Sequence, residues 1–199
     1  HEVRREFVTL ELARTYLHDS IHAATFRTFR RRAGHSNAEF PVFREQYGLN
    51  FRQERGVSYS APSLTSRCPE GINLNLLLDG VTVIMTRNCM KAALAELSPA
   101  TFSEAAIAAD LLLERSHIPS GSSALQFYDA VVAPTEAFIA HWGGSSLLEE
   151  TFRAMMTGKL RSLSHFFDHA TGAAGAWKRL FLSPSWARPH PNTVVTGRS

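Results

Sequence analysis

Lysine and cysteine are scarce in this chain. Of its 21 basic residues only Lys91, Lys159 and Lys178 are lysine, and only Cys68 and Cys89 are cysteine. Two cysteines rule out a disulfide-rich scaffold, and their spacing matches no zinc finger. Long apolar runs are missing as well: no stretch of about 18 apolar residues occurs, so no segment is expected to span a bilayer. Gly-x-x-x-x-Gly-Lys and Gly-x-Gly-x-x-Gly are both lacking, which argues against a loop that cradles nucleotide phosphates. Gly-x-Ser-x-Gly is lacking too, which removes the nucleophile elbow of the hydrolases that use one. There is no internal repeat. His1 is not followed by a basic-then-apolar leader pattern, and the expected setting is soluble and, by default, cytoplasmic.

What is present suits one packed domain, expected to extend over residues 1–199. The composition is 44% apolar, 10% aromatic and 20% charged, outside the disordered, collagenous and coiled-coil classes. The net charge of +3 is unevenly spread. Residues 1–67 carry eleven Arg against seven acidic residues, whereas the remainder carries ten basic and eleven acidic ones. Arginine suits planar, bidentate partners such as phosphate and carboxylate. Arg27, Arg30, Arg31 and Arg32, followed by Arg44, Arg52 and Arg55, interleave with Phe26, Phe29, Phe40, Phe43 and Phe51. Such a stretch could follow a polyanion backbone and stack its bases. The simpler reading is a solvated helix C-terminus, where arginine meets the helix dipole and nearby acids such as Glu39 and Glu45. The balance favours the second, so nucleic acid is not the expected partner.

Periodicity predicts a helix over 7–32, with Gly34 as its C-terminal cap. Leu10, Ala13, Leu17, Ile21 and Ala24 form one apolar stripe, and Leu12, Tyr16, Ala23 and Phe26 a second. Glu11, Thr15, His18, His22 and Thr25 run between them, so burial over much of the circumference is expected. An irregular and hairpin region follows over 35–90. Ile72-Asn-Leu-Asn-Leu and Val81-Thr-Val alternate around Asp79-Gly80, the dipeptide of a tight type I′ turn. The expectation is a β-hairpin, 72–78/81–86, with a third short strand at Val57–Tyr59. In that register Cys68 lies diagonal to Cys89, which predicts Cα atoms within about 7 Å.

The region 91–182 reads as helical. A capping box, Thr101-Phe-Ser-Glu104, opens a helix to about His117. A helix over 123–142 is expected to kink or break at Pro134. A long amphipathic helix over 147–170 presents Leu148, Phe152, Met155, Met156, Leu160, Leu163, Phe166 and Phe167 to the core. One or two last turns over 172–182 turn Trp177 and Phe181 inward, and 183–199 reads as an extended tail. The fold class is therefore α+β and predominantly α, with about five helices packed around a small hairpin.

Histidine spacing carries the chemistry. His18-Asp-Ser-Ile-His22 and His165-Phe-Phe-Asp-His169 each set two imidazoles at i, i+4, one helix face apart by a single turn. Random placement of nine histidines would give roughly 0.4 such pairs. The first segment is similar to the HExxH of zinc metallopeptidases, with Asp19 where that family has its general-base Glu. Its His18-Asp19 doublet also resembles that of the HD phosphohydrolases. Each likeness spans at most five residues and assigns no family. Glu114-Arg-Ser-His117 has the Glu-x-x-His spacing of carboxylate-bridged metal sites.

These patterns predict a divalent metal (zinc, iron or manganese) held between the first and last long helices by His18, His22, His165 and His169. Asp19 or Asp168 would be the general base for hydrolysis, with Glu11, Glu114 and His117 as secondary ligands. The competing class is a non-catalytic binding or assembly protein with structural histidines, whose partner is another protein or a second copy of the chain.

Overall fold

The computed structural model describes residues 2–31, 42–52, 58–59, 74–96, 120 and 126–181. The fold is α+β and mostly helical. The chain divides into two compact units, one of 1–24 with 79–137 and the other of 25–78 with 138–199. No helix among the described residues is long and apolar enough to cross a membrane.

The first unit is helical where it is described. Helix α1, Glu2–Ala24, buries Leu10 and Ile21. Its second apolar stripe is not buried: Leu12 and Tyr16 are exposed, so the expectation of a helix enclosed on much of its circumference is overturned. The helix also stops eight residues short of the expected Arg32. Thr25 is a bend, and Arg27–Arg31 is strand β1. The physical reason is tertiary: the Phe26 N–H donates to the Met155 carbonyl at 3.0 Å and the Phe26 carbonyl accepts from Gly48 N–H at 2.9 Å. Both backbone groups are thus lost to the helix ladder.

Helix α2, Asn75–Glu96, replaces the expected hairpin over 72–86. Its Val81, Thr82, Val83, Ile84 and Thr86 are all buried. Strand propensity of β-branched residues amounts to about 1 kcal/mol or less each and yields to burial. Positions 80–84 are buried all round the helix, whereas 88, 89, 91–93, 95 and 96 are exposed. Gly80 serves a close approach rather than a turn, because a Cβ there would overlap Thr135 Oγ1 and lie 2.6 Å from Thr135 Cβ. Thr135 lies in helix α3, Ala133–Trp142, which a π-helical turn, Tyr128–Val132, precedes. The helix does not break at Pro134, which lies within α3; the π-helical turn comes just before it, where Ala133 N–H bonds to the Tyr128 carbonyl, and proline has no N–H for the Ala130 carbonyl. Val83, Tyr128 and Val132 pack together with Ala133.

The second unit holds an antiparallel sheet in the order β1-β2-β3-β4, with β2 Val42–Tyr47, β3 Asn50–Arg52 and β4 Ser58–Tyr59. A short strand does form at Ser58–Tyr59, but it pairs with β3 rather than with a 72–86 hairpin, and the tight turn is Gly48-Leu49 between β2 and β3. The pairing of β1 with β2 slips between Thr28 and Phe29, leaving Glu45 as the extra residue of a bulge.

Helices α4, Gly144–Thr157, and α5, Leu160–Ala170, occupy the single helix expected over 147–170. Gly158 divides them. Its φ of 71° ends α4 in the left-handed region, and a Cβ there would sit 2.9 Å from Phe26 Cγ. The core face contains Met155, Leu160, Leu163 and Phe167 as expected, and adds Leu147, Thr151 and Ala154. Short helix α6, Ala176–Phe181, buries Trp177 as expected.

Candidate functional site

On α1 the inward residues Leu10 and Ile21 orient the face that carries the first histidine pair. His18 and His22 stand one turn apart, both half-buried. Their rings meet edge to face with centroids 4.7 Å apart, and Nε2 lies 3.1 Å from Nε2. At that separation one nitrogen donates and the other accepts. Burial lowers the His18 pKa, and the neighbouring His22 lowers it further, so His18 favours the neutral form.

Asp79 of α2 adds a carboxylate: its Oδ1 lies 3.8 Å from His22 Nε2. Read from sequence as a turn residue, Asp79 escaped notice as a site residue; a helical register for 75–96 would have exposed it. Burial pushes its pKa up to about 6. The side chain nevertheless keeps 39% of its accessible surface, and the solvent reaching it screens the effect. Ionisation therefore costs about 1 kcal/mol rather than the ~3 kcal/mol a dry site would impose. Because the folded pKa is raised, this stability is present below about pH 4 and is lost as the pH rises through 6. In chelator-treated protein, Asp79→Asn should thus be more stable than wild type at pH 7 and about equal at pH 4. Thermal melts at the two pH values check this; an unchanged difference between them would contradict it.

The remaining predicted residues have other occupations. Glu11 accepts from Arg14, with Arg14 Nε 2.9 Å from Oε2. Asp19 is exposed on the outer side of α1. His165 and His169 of α5 are also exposed. Asp168 caps α6: its Oδ2 accepts from Gly175 N–H and its Oδ1 from Trp177 N–H, both at 2.8 Å. That structural role accounts for both carboxylate oxygens without a general-base function. The first histidine pair belongs to the first unit and the second pair to the second. Glu114 and His117 lie outside the described residues. Among the described residues, no group of three or more His, Cys, Asp and Glu is gathered so as to hold a metal as it stands.

The arginine run is rearranged. Arg27, Arg30 and Arg31 lie on strand β1 rather than at a helix C-terminus, and Arg32 lies outside the described residues. Arg27 and Arg44 both sit over the Tyr47 ring, at 5.2 and 4.3 Å from its centroid. Cys89 is an exposed free thiol on helix α2. The strand register that set Cys68 diagonal to it therefore does not exist, and Cys68 itself lies outside the described residues.

A second polar cluster had no signal in the sequence. Arg87 of α2 pairs with Glu136 of α3, whose other oxygen accepts from Tyr128 Oη at 2.9 Å. Its three members, 49 and 8 positions apart around Glu136, are brought together only by packing. Against known proteins, no family model, no curated protein and no solved structure matches this chain.

Proposed function

We propose that the chain is a metal-holding helical protein whose site is the His18–His22 pair completed by Asp79. The observation that carries this reading is the Nε2–Nε2 separation of 3.1 Å. Two imidazole nitrogens bound to one tetrahedral zinc stand about 3.3 Å apart. A divalent cation would lie off the Nε2–Nε2 line, so each ring turns from its hydrogen-bonded orientation to bring its lone pair onto the metal. His18 is biased toward the neutral form that a metal requires. Asp79 Oδ1 stands 3.8 Å from His22 Nε2 and is the carboxylate we assign as third donor.

Zinc, iron and manganese all accept imidazole and carboxylate donors, and zinc suits two imidazoles best. Three protein donors leave a coordination position for water or substrate, the condition for metal-assisted hydrolysis. Asp19 is not positioned for the base role, since it lies about 60–100° around the helix from the two histidines at 100° per residue. The histidine hydrogen bond by itself would instead serve a structural role in a non-catalytic binding protein, and metal titration separates the two readings.

Calorimetric titration of the chelator-treated chain with zinc should give one ion per chain. His22→Ala should weaken binding roughly 100-fold or more, about 2.7 kcal/mol, and Asp79→Asn roughly 10-fold. His165→Ala with His169→Ala should leave affinity unchanged. Absence of binding, or equal loss in the His165/His169 variant, would refute the site.

A further inference from the structure

The half-buried face of α1 holds one cation that the metal reading leaves unused. At 100° per residue Arg14, His18, Glu11 and His22 fall, in that order, within about an 80° arc. Arg14 stands between the inward stripe of Leu10 and Ile21 and the histidine pair, about 6 Å along the axis from His18. That place covers most of it: the side chain keeps 22% of its accessible surface.

Glu11 holds the guanidinium by one edge. Nε donates to Glu11 Oε2 at 2.9 Å, and Nη2 donates to Glu11 Oε1. The second edge of the fork, Nη1 with the other Nη2 hydrogen, has no acceptor among the described residues. Burial and His22 lower the His18 pKa most, and the charge of Arg14 lowers it too, against the opposing pull of Asp19. The arginine charge therefore reaches the histidine pair.

We propose that Arg14 binds the phosphate group of a phosphate-ester substrate, with a further phosphate oxygen in the open position of the metal held by His18, His22 and Asp79. This inference rests on the metal reading above and names the substrate class of that site. The count of oxygens selects phosphate. A guanidinium edge presents two parallel N–H groups, which take two oxygens of one oxyanion. The metal takes a third. A carboxylate has only two oxygens, so bridging to the metal leaves it one for the fork. A phosphate monoester has three terminal oxygens and fills all three positions. Glu11 is the anchor: it orders Arg14 before the anion arrives, which lowers the cost of fixing a long side chain on binding.

Calorimetry of inorganic phosphate into the zinc-loaded full chain tests this, with zinc affinity and circular dichroism measured for every variant. Wild type should bind one phosphate per zinc, and the chelator-treated chain should bind it roughly 10-fold more weakly or worse. Arg14→Gln should keep zinc affinity within about 3-fold and weaken phosphate roughly 10–100-fold, the range for charge-assisted hydrogen bonds. Arg14→Lys keeps the charge without the fork and should recover only part of that loss. Acetate should bind wild type roughly 10-fold more weakly than phosphate.

Three results would overturn this inference and leave the metal site standing. They are a zinc-loaded wild type that binds no phosphate, an Arg14→Gln variant that binds it as wild type does, and acetate bound as tightly as phosphate. Should Arg14→Gln lose helix content, Arg14→Lys decides, and full phosphate affinity in it overturns the proposal. Absence of zinc binding overturns the metal reading and this inference with it.

Discussion

Trp177→Ala is expected to destabilise the second unit by about 3–5 kcal/mol, the range for emptying an aromatic site in a packed core. Trp177 is 2% exposed and its ring meets Phe167 edge to face at 5.5 Å. Phe167 in turn stacks on Phe138 at 5.6 Å and touches Trp142 at 5.7 Å, so one ring links α3, α5 and α6. Total stabilities of domains are about 5–15 kcal/mol, and the loss should lower Tm by roughly 10 °C or more. Trp177→Phe should recover much of it. Asp168→Ala should cost less, about 1–3 kcal/mol, because it strands two amides without removing the ring. Far-UV thermal melts rank the three variants; a Trp177→Ala melt within 2 °C of wild type would contradict this account of the core.

Substitution at Gly80 tests the helix that replaces the expected hairpin, and its sign is the informative part. On an exposed helix surface Gly→Ala stabilises by about 1 kcal/mol. Here the added Cβ meets Thr135, whose Cβ lies 2.6 Å away. Overpacking of this kind costs about 1–3 kcal/mol. Gly80→Ala should therefore show no stabilisation and a net loss of up to about 2 kcal/mol, and Gly80→Val a larger loss of about 3 kcal/mol. Thr135→Gly in the Gly80→Ala background should return part of the loss, a coupling that only direct contact produces. A stabilising Gly80→Ala would show that α2 and α3 do not touch there.

The histidine pair on α1 was legible because its signal is local. An i, i+4 spacing fixes a shared face whatever the helix packs against, but only the structure showed that the Leu10/Ile21 stripe turns inward and the Leu12/Tyr16 stripe does not. The amphipathic pattern of 147–170 was legible for the same reason, and so was half of the core face named for it: Met155, Leu160, Leu163 and Phe167 are buried, whereas Leu148, Phe152, Met156 and Phe166 are half-buried. Its division at Gly158 was not, since nothing near position 158 reveals that Phe26 fills the space a Cβ would occupy. Asp79 was hidden by a competing local signal, the Asp-Gly dipeptide between two alternating runs.

Sequence alone thus determined the α+β class, the place of one histidine pair, and the inward turn of Trp177 and Met155. These follow from periodicities that each element carries within itself. Tertiary structure alone decided that 75–96 is helical, that 27–31 is a strand, and that Asp79 stands beside His22. In each instance local preference amounts to about 1 kcal/mol or less per residue, whereas burying one large aliphatic side chain contributes about 1.5–3 kcal/mol. Leu77, Leu78, Val81 and Ile84 are all buried in one helix, and their combined burial outweighs every strand preference in the segment.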